Sequence, residues 1–251
     1  LLQDEALARS VSRVGHPSSL RPLIGKLQRG EPITIGQLGA SVGQDGGCLA
    51  QPYRRCNDLS GTVRTRMQWG HPLNRNFKGY LVRFFEAINA TWPHPGHRLN
   101  NSASDATPPQ NALDCIFSHL PRSLDLVLLE FGSMARHIDF RAAEALVRLL
   151  LSLQPRPVIV FVTVREWCRA DQALRFGKPQ TPFGRVEQTP WARAEAVFDG
   201  WCDHYGASCL SYFRALAPDT SFYSSTGKGW GMDDIGIDCL HPLKGKVGTE
   251  V

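Results

Sequence analysis

The sequence predicts a single three-layer α/β/α domain built on a mainly parallel sheet. Apolar segments of strand length alternate with segments whose apolar residues recur at helical spacing, a pattern typical of parallel strands joined by right-handed crossover helices. With 251 residues, 42% of them hydrophobic, the chain is long enough to bury one sizeable core. Strands are predicted at residues 32–38, 97–101, 124–131, 157–164 and 207–212, and helices at residues 77–88, 108–120, 142–153 and 191–205.

Residues 1–31 are predicted to form an N-terminal extension that packs on the main domain, residues 32–251. Apolar residues on one helical face within the extension predict a short docking helix. Pro22 suits only the first turn of that helix, because its ring removes a backbone donor and clashes with the preceding turn. The apolar face comprises Leu20, Leu23, Ile24 and Leu27.

The first predicted strand, residues 32–38, ends in a Gly-rich loop. Residues 48–75 show little periodicity and are predicted to form a long loop over one edge of the sheet. The first crossover helix follows at residues 77–88, because apolar side chains return there at helical spacing. Its inner face is predicted to comprise Tyr80, Leu81, Phe84, Phe85 and Ile88.

The run at residues 124–131 is apolar enough to be covered on both faces, like a central strand of a parallel sheet. We interpret Asp125, Glu130 and Asp139, in and after this run, as solvated or capping carboxylates, because the sequence pairs none of them with a base. Residues 219–236 are irregular and rich in Gly, Ser and Asp, and a loop there is expected to form one wall of a pocket.

Charge and hydropathy argue against several classes of partner. The net charge is +5, and the Arg residues are scattered without the dense basic stripe that nucleic-acid binding requires. No apolar run has the length of a membrane span. The chain begins at Leu1 without an initiator Met, so an upstream signal or anchor is left open.

Cysteines and glycosylation sequons favour the secretory pathway or the extracellular space. No two cysteines form a C-x-x-C pair, so a zinc site has little support, and up to three disulfides with one leftover thiol are expected in an oxidising compartment. Sequons at Asn89 and Asn100 agree with a secreted glycoprotein. The seven cysteines are Cys48, Cys56, Cys115, Cys168, Cys202, Cys209 and Cys239.

Two short motifs at opposite ends of the chain carry the chemistry. Ser41 lies in a Gly-flanked turn that leaves the first predicted strand, where its hydroxyl is presented at the carboxyl edge of the sheet. Near the C-terminus Asp238 precedes His241 by three residues, so that it can orient the imidazole that takes the serine proton. Each residue alone is more often structural, but their order in an α/β chain favours a nucleophile, a base and an acid.

The Gly-rich stretch around Ser41 fits two other motifs less well. It matches the G-x-S-x-G elbow of α/β-hydrolases, but there the nucleophile lies deep in the chain and the acid and base come from separate loops. The same stretch lacks the Gly-Lys-Ser/Thr ending of a P-loop, so phosphate binding is disfavoured.

The arrangement resembles the SGNH, or GDSL-type, esterase family over residues 32–248. Residues 39–42, Gly-Ala-Ser-Val, stand where the family has its Gly-Asp-Ser-Leu type signature, and residues 238–242, Asp-Cys-Leu-His-Pro, match Asp-x-x-His-Pro. The resemblance implies a flavodoxin-like fold and a serine esterase with Ser41, His241 and Asp238 as its triad. It also implies no metal or organic cofactor, and an O-acetylated glycan or another acyl ester as substrate.

Two other family motifs are altered, and both concern the oxyanion hole. The segment 101–107 resembles the Asn-Gly-Ala-x-x-Ala-Thr type loop with Ser102 in the place of the glycine that donates its N–H. The segment 130–135 stands where the family has Gly-x-Asn-Asp, with Met134 in the place of the donating Asn. Met cannot donate a hydrogen bond, and loss of one such donor costs about 3 kcal/mol in comparable hydrolases. Ser133 is the neighbouring side chain that can take over this role.

Two functions therefore remain open: an esterase with a weakened oxyanion hole, and a catalytically degenerate domain that acts as a binding module or as a subunit of a protein assembly. Tryptophans can form the floor of a sugar site, although at these spacings they are more often core residues. The tryptophans concerned are Trp167, Trp191, Trp201 and Trp230.

Overall fold

The computed structural model describes residues 4–45, 49–51, 54–55, 80–166, 189–216 and 240. The strands are β1 (Val11–Arg13), β2 (Thr34–Gly39), β3 (Leu49–Gln51), β4 (Arg54–Arg55), β5 (Arg98–Asn101), β6 (Leu126–Glu130), β7 (Val158–Thr163) and β8 (Ser208–Ser211). The helices are α1 (Asp4–Ser10), α2 (Pro17–Gln28), α3 (Ser41–Asp45), α4 (Tyr80–Thr91), α5 (Pro109–Leu113), α6 (Ile116–His119), α7 (Phe140–Leu151), α8 (Pro190–Tyr205) and α9 (Tyr212–Leu216), with a 3₁₀ helix at Gly132–His137.

Six strands form one sheet in the order β1-β8-β7-β6-β2-β5. The pairings among β5, β2, β6, β7 and β8 are all parallel, whereas β1 runs antiparallel to β8 at one edge. This topology confirms the predicted α/β class with a mainly parallel sheet. All five predicted strands are present, each with its ends within two residues of the prediction.

The central strand β6 shows why the sheet is covered on both faces. Its residues are all buried, and their side chains alternate between two hydrophobic clusters. Val127 and Leu129 belong to the cluster formed with α7 and α8, whereas Leu126 and Leu128 belong to the cluster formed with α2 and α4. The period of two in a strand whose first four residues are apolar thus produces three layers.

Several local predictions need correction. Pro22 lies inside α2 rather than in its first turn, at a position that faces solvent. The predicted helix at residues 108–120 is two short helices, α5 and α6, because Cys115 has non-helical backbone angles between them. Phe84, predicted on the inner face of α4, is 40% exposed. The edge strand β1 was not predicted, since three residues carry no clear alternation.

The cysteines agree in part with the prediction. Cys202 and Cys209 form a disulfide that joins α8 to β8, with their Cα atoms 6.1 Å apart. Cys115 is a free, exposed thiol. The remaining four cysteines, most of the predicted loop at residues 48–75 and the predicted loop at residues 219–236 lie outside the described residues. Within the described ranges, no helix is long and apolar enough to cross a membrane.

Candidate active site

Three predicted site residues lie at one edge of the sheet, after three neighbouring strands. Ser41 is the first residue of α3 and follows β2 after one intervening residue. Ser102 follows β5 directly, and Ser133 lies in the 3₁₀ helix that follows β6. Because β5, β2 and β6 are adjacent and parallel, the three serines share the carboxyl edge, where ligands bind in open α/β sheets.

The turn that carries Ser41 is held tightly against β6. The Ala40 N–H donates to the Glu130 carbonyl over 3.1 Å, and the Gln44 N–H donates to the Ala40 carbonyl over 2.9 Å, which starts α3. A Cβ atom on Gly39 would lie 2.5 Å from the Glu130 carbonyl oxygen, so no larger residue fits without a shift of backbone. Ala40 and Val42 are buried while Ser41 is partly exposed, so the turn leaves Ser41 on its open side.

A network of amide side chains supports this turn from within the sheet. Gln37, fully buried on β2, donates through Nε2 to the Gly43 carbonyl over 2.6 Å. Asn101, at the end of β5, donates through Nδ2 to the Gly43 and Gln44 carbonyls, each over 3.1 Å. The Tyr80 hydroxyl donates to Gln37 Oε1 over 2.8 Å. Residues of β2, β5 and α4 thus fix the backbone just after Ser41.

Glu130 lies under the same turn and is fully buried. Its Oε2 accepts from the Gly43 N–H over 3.0 Å, and its Oε1 accepts from the Ser133 N–H over 3.2 Å. Burial raises the pKa of Glu130 to about 7, although hydrogen bonds from Ser133, Gly43 and Ala40 oppose this rise. Burial, together with the nearby Glu130 charge, also raises the pKa of Tyr80.

The backbone donors predicted for the oxyanion hole are already engaged in part. The Ser102 N–H donates to the Gln37 carbonyl over 2.9 Å, and its hydroxyl donates to the His119 carbonyl over 2.6 Å. The Ser102 N–H can therefore reach an oxyanion only if its bond to Gln37 breaks. The Ser133 hydroxyl is buried next to the Glu130 carboxyl group, whose pKa its hydrogen bond lowers, and Met134 beside it is half-buried.

The other two residues of the predicted triad have no described position. Asp238 and His241 lie outside the described residues, so the triad stays a prediction. Two of the four tryptophans can be located: Trp191 is buried, and Trp201 packs against the same hydrophobic cluster. These two are core residues rather than the floor of a sugar site. Among the described residues, no group of three or more His, Cys, Asp and Glu could hold a metal ion.

The interpretation of the three carboxylates near β6 as solvated or capping was correct for Asp139 and, as capping, for Glu130, but wrong for Asp125. Asp139 caps α7 by accepting from the Arg141 and Ala142 N–H groups. Asp125 pairs with Lys26 over 2.8 Å, so it does have a basic partner. Glu130 caps backbone N–H groups but is buried rather than solvated. The sequence indicates this burial, because a Glu at the end of a strand that is covered on both faces is expected to be buried.

Comparisons with solved structures agree on the fold. A two-domain esterase active on acetylated mannans, co-crystallised with mannopentaose, matches with a TM-score of 0.60 and 15% identity over 94% of this chain and 51% of that chain. A catalytic mutant of an acetylxylan esterase from Geobacillus stearothermophilus matches with a TM-score of 0.52 and 13% identity over 84% of this chain and 86% of that one. Phospholipase A1 from Streptomyces albidoflavus matches with a TM-score of 0.51 and 14% identity, over 87% and 96% of the two chains.

These likenesses show that the chain has the SGNH-type hydrolase fold, as the sequence motifs predict. The chain spans about half the length of the mannan esterase that it matches. No protein-family model and no curated protein matches the sequence.

Proposed function

We propose that the protein is a serine esterase that hydrolyses an acyl ester, with Ser41 as nucleophile. The observation that carries this proposal is the position of Ser41, on the open side of a tightly held turn at the carboxyl edge of an SGNH-type fold. In this mechanism His241 takes the Ser41 proton as the oxygen attacks the acyl carbonyl carbon, and Asp238 orients the imidazole. His241 returns the proton to the leaving alcohol, and water then hydrolyses the acyl-serine ester.

The oxyanion needs at least one donor besides the Ser41 N–H. We assign this role to the Ser133 hydroxyl, which follows the strand next to that of Ser41 and would exchange its contact with the Glu130 carboxyl group for the oxyanion. The loop after β5 lies close by, since the Ser104 N–H donates to the Gly39 carbonyl over 3.0 Å. The Ser102 N–H fits this role less well, because it donates to the Gln37 carbonyl.

For the substrate we propose an O-acetylated glycan. Two of the structural neighbours are esterases of acetylated mannan and of acetylxylan, and the resemblance of the motifs favours the same class. The proposal needs no metal or organic cofactor. Release of acetate from acetylated mannan, acetylated xylan and p-nitrophenyl acetate, compared with a long-chain acyl ester, tests it.

We further propose that the protein works in an oxidising compartment of the secretory pathway or outside the cell. The Cys202–Cys209 disulfide supports this, because such bonds persist mainly in oxidising surroundings. Asn89 of the first sequon is exposed on α4, where a glycan would meet no neighbour in the core. A mass shift on enzymatic deglycosylation of secreted protein checks this proposal.

A second candidate function is a binding module without catalysis. It is favoured by Met134 in the donor position and by the engaged Ser102 N–H. Such a domain would bind a glycan or a partner chain in an assembly at the same edge of the sheet, and its serine would not be activated.

Covalent labelling with a fluorophosphonate separates the two functions. We expect the wild type to be labelled, and expect Ser41→Ala and His241→Ala to abolish labelling. Ser152→Ala is the matched control, because Ser152 is exposed at the end of α7, away from the carboxyl edge. A folded wild type that is not labelled would favour the binding module, and labelling that survives Ser41→Ala would rule out Ser41 as the nucleophile.

A further inference from the structure

We infer that Glu130 is a positioning residue that fixes the Ser41 turn and the Ser133 segment relative to each other through one carboxyl group. The inference rests on the proposed function, because it assigns Glu130 a role in the reaction that Ser41 performs. Glu130 itself is buried and acts through the two segments rather than on the substrate.

Both helices that carry candidate site residues begin without a capping side chain of their own. Ala40 occupies the cap of α3 and has no polar side chain, so the first N–H groups of that helix need acceptors from elsewhere. Phe131 occupies the cap of the 3₁₀ helix and makes no side-chain cap either. The sequence places no Ser, Thr, Asp or Asn at either cap.

Glu130 supplies both missing caps. One carboxylate oxygen accepts from Gly43, the third residue of α3, and the other accepts from Ser133, the second residue of the 3₁₀ helix. Its own carbonyl accepts from the Ala40 N–H. A single residue at the end of β6 thus makes three hydrogen bonds that join the nucleophile turn to the segment of the proposed side-chain donor.

The glycines of the turn allow its backbone to lie close to the side chains of Gln37 and Glu130. A Cβ atom on Gly43 would lie 2.8 Å from Gln37 Nε2 and 3.5 Å from the Glu130 Cβ, so the turn sits directly on these buried polar side chains. Burial of a carboxyl group without a cation is unfavourable, and among the described residues no ion pair involves Glu130. The hydrogen bonds from the Gly43 and Ser133 N–H groups offset part of this cost, and the same two bonds join the segments of Ser41 and Ser133.

The first test measures local opening and does not depend on activity. Deuterium uptake is measured on the full chain for wild type, Glu130→Ala, Glu130→Gln and Asp125→Ala. Asp125 is the matched control, because it precedes the same strand at its other end and accepts from the Thr34 N–H over 2.8 Å. We expect Glu130→Ala to raise uptake in residues 40–45 and 131–137 together, and Asp125→Ala to raise it near Thr34 instead. Faster uptake in only one of the two Glu130 segments, or in neither, would overturn the inference.

The second test measures the rate constant of fluorophosphonate labelling at temperatures where each variant is folded. We expect about a hundredfold slower labelling for Glu130→Ala, because a misplacement of about 1 Å can cost that much. Glu130→Gln keeps one acceptor oxygen and is expected to label about tenfold more slowly than wild type, a partial rescue. With an ester substrate, kcat should fall while KM stays within about threefold.

The outcomes separate this inference from the proposed function. Labelling of Glu130→Ala within twofold of wild type, with faster uptake in both segments, would make Glu130 purely structural. A folded wild type without labelling would instead refute the esterase and the positioning role with it, while the uptake data would still decide whether Glu130 joins the two segments.

Discussion

The two ends of strand β6 carry carboxylates in opposite environments. Asp125, just before the strand, is 11% exposed, pairs with Lys26 and accepts from the Thr34 N–H. Glu130, the last residue of the strand, is 0% exposed and accepts from two backbone N–H groups. Asp125 joins β6 to β2, and Glu130 joins β6 to the turn that follows β2. Among the described residues, a cation pairs with Asp125 and none pairs with Glu130.

The difference separates an edge whose carboxylate is paired with a cation from the edge that carries the proposed site. At the amino edge Asp125 pairs with Lys26 and accepts from Thr34, so its carboxylate joins α2, β2 and β6. At the carboxyl edge the carboxyl group is dehydrated and holds two short helices whose own sequences cannot cap themselves. Perturbed ionisable groups of this kind cluster at functional sites, which is where the proposed nucleophile lies.

The largest expected effect is a pH dependence of stability that comes from Glu130. Its pKa is raised from 4.5 to about 7, so between these pH values the carboxyl group is protonated in the folded state and ionised in the unfolded state. The free energy of unfolding should therefore fall as the pH rises from 4.5 to 7, by about 3 kcal/mol at most. Tyr80, which faces Glu130 from α4, has a raised pKa and stays neutral over this range.

Urea unfolding of wild type and Glu130→Gln at several pH values measures how much Glu130 contributes to this pH dependence. The difference between the two proteins cancels the contributions of other groups, and it should shift in favour of the variant as the pH rises through this window. A difference that is constant between pH 4.5 and 7.5 would show that Glu130 is not held protonated by its burial.

The next largest effect is expected for Gly39→Ala, at the carboxyl edge. The new Cβ would meet a backbone oxygen at 2.5 Å, so β2 or β6 must shift, at a cost of about 2 to 3 kcal/mol. The control is Gly25→Ala in α2, where the nearest atom is the flexible end of Arg29 and where alanine should stabilise the helix by about 0.5 to 1 kcal/mol. Equal unfolding free energies for the two variants would contradict the tight contact between β2 and β6.

At the amino edge, Asp125→Ala should cost about 2 kcal/mol, because it leaves the Thr34 N–H without its carboxylate and Lys26 without its partner. Asp125→Asn keeps an acceptor for Thr34 and should cost about 1 kcal/mol or less. Neither change should alter the labelling of Ser41 in folded protein by more than about twofold. A large loss of labelling would show that the two edges are not independent.

The sequence predicts the fold well because the strands are strongly apolar, and the position of Ser41 follows from the end of the first strand. It predicts the interior of the site poorly. The bond between Glu130 and Gly43 joins residues 87 apart in sequence, and no local pattern identifies such a pair. Only the role of Gln37 is indicated by the sequence, because an amide in the middle of a buried strand needs buried hydrogen-bond partners. The roles of Asp238 and His241 stay predictions from the motif.

The smallest expected effect tests how far the support of the Ser41 turn extends. Tyr80→Phe removes one hydroxyl that donates to Gln37, and we expect a loss of about 1 kcal/mol in unfolding free energy. Because Gln37 still donates to the Gly43 carbonyl, labelling of Ser41 should slow by no more than about threefold. The measurements are urea unfolding at constant pH and the labelling rate constant.

Tyr205→Phe is the matched control, because its hydroxyl donates to Glu144 and accepts from Arg148 on the other side of the sheet. We expect it to reduce stability by about as much as Tyr80→Phe and to leave labelling unchanged. If Tyr80→Phe slows labelling no more than Tyr205→Phe does, the bond from Tyr80 to Gln37 does not help to position Ser41, and α4 only shields Gln37 from solvent. If it slows labelling more, α4 belongs to the structure that positions Ser41, together with β2, β5 and β6.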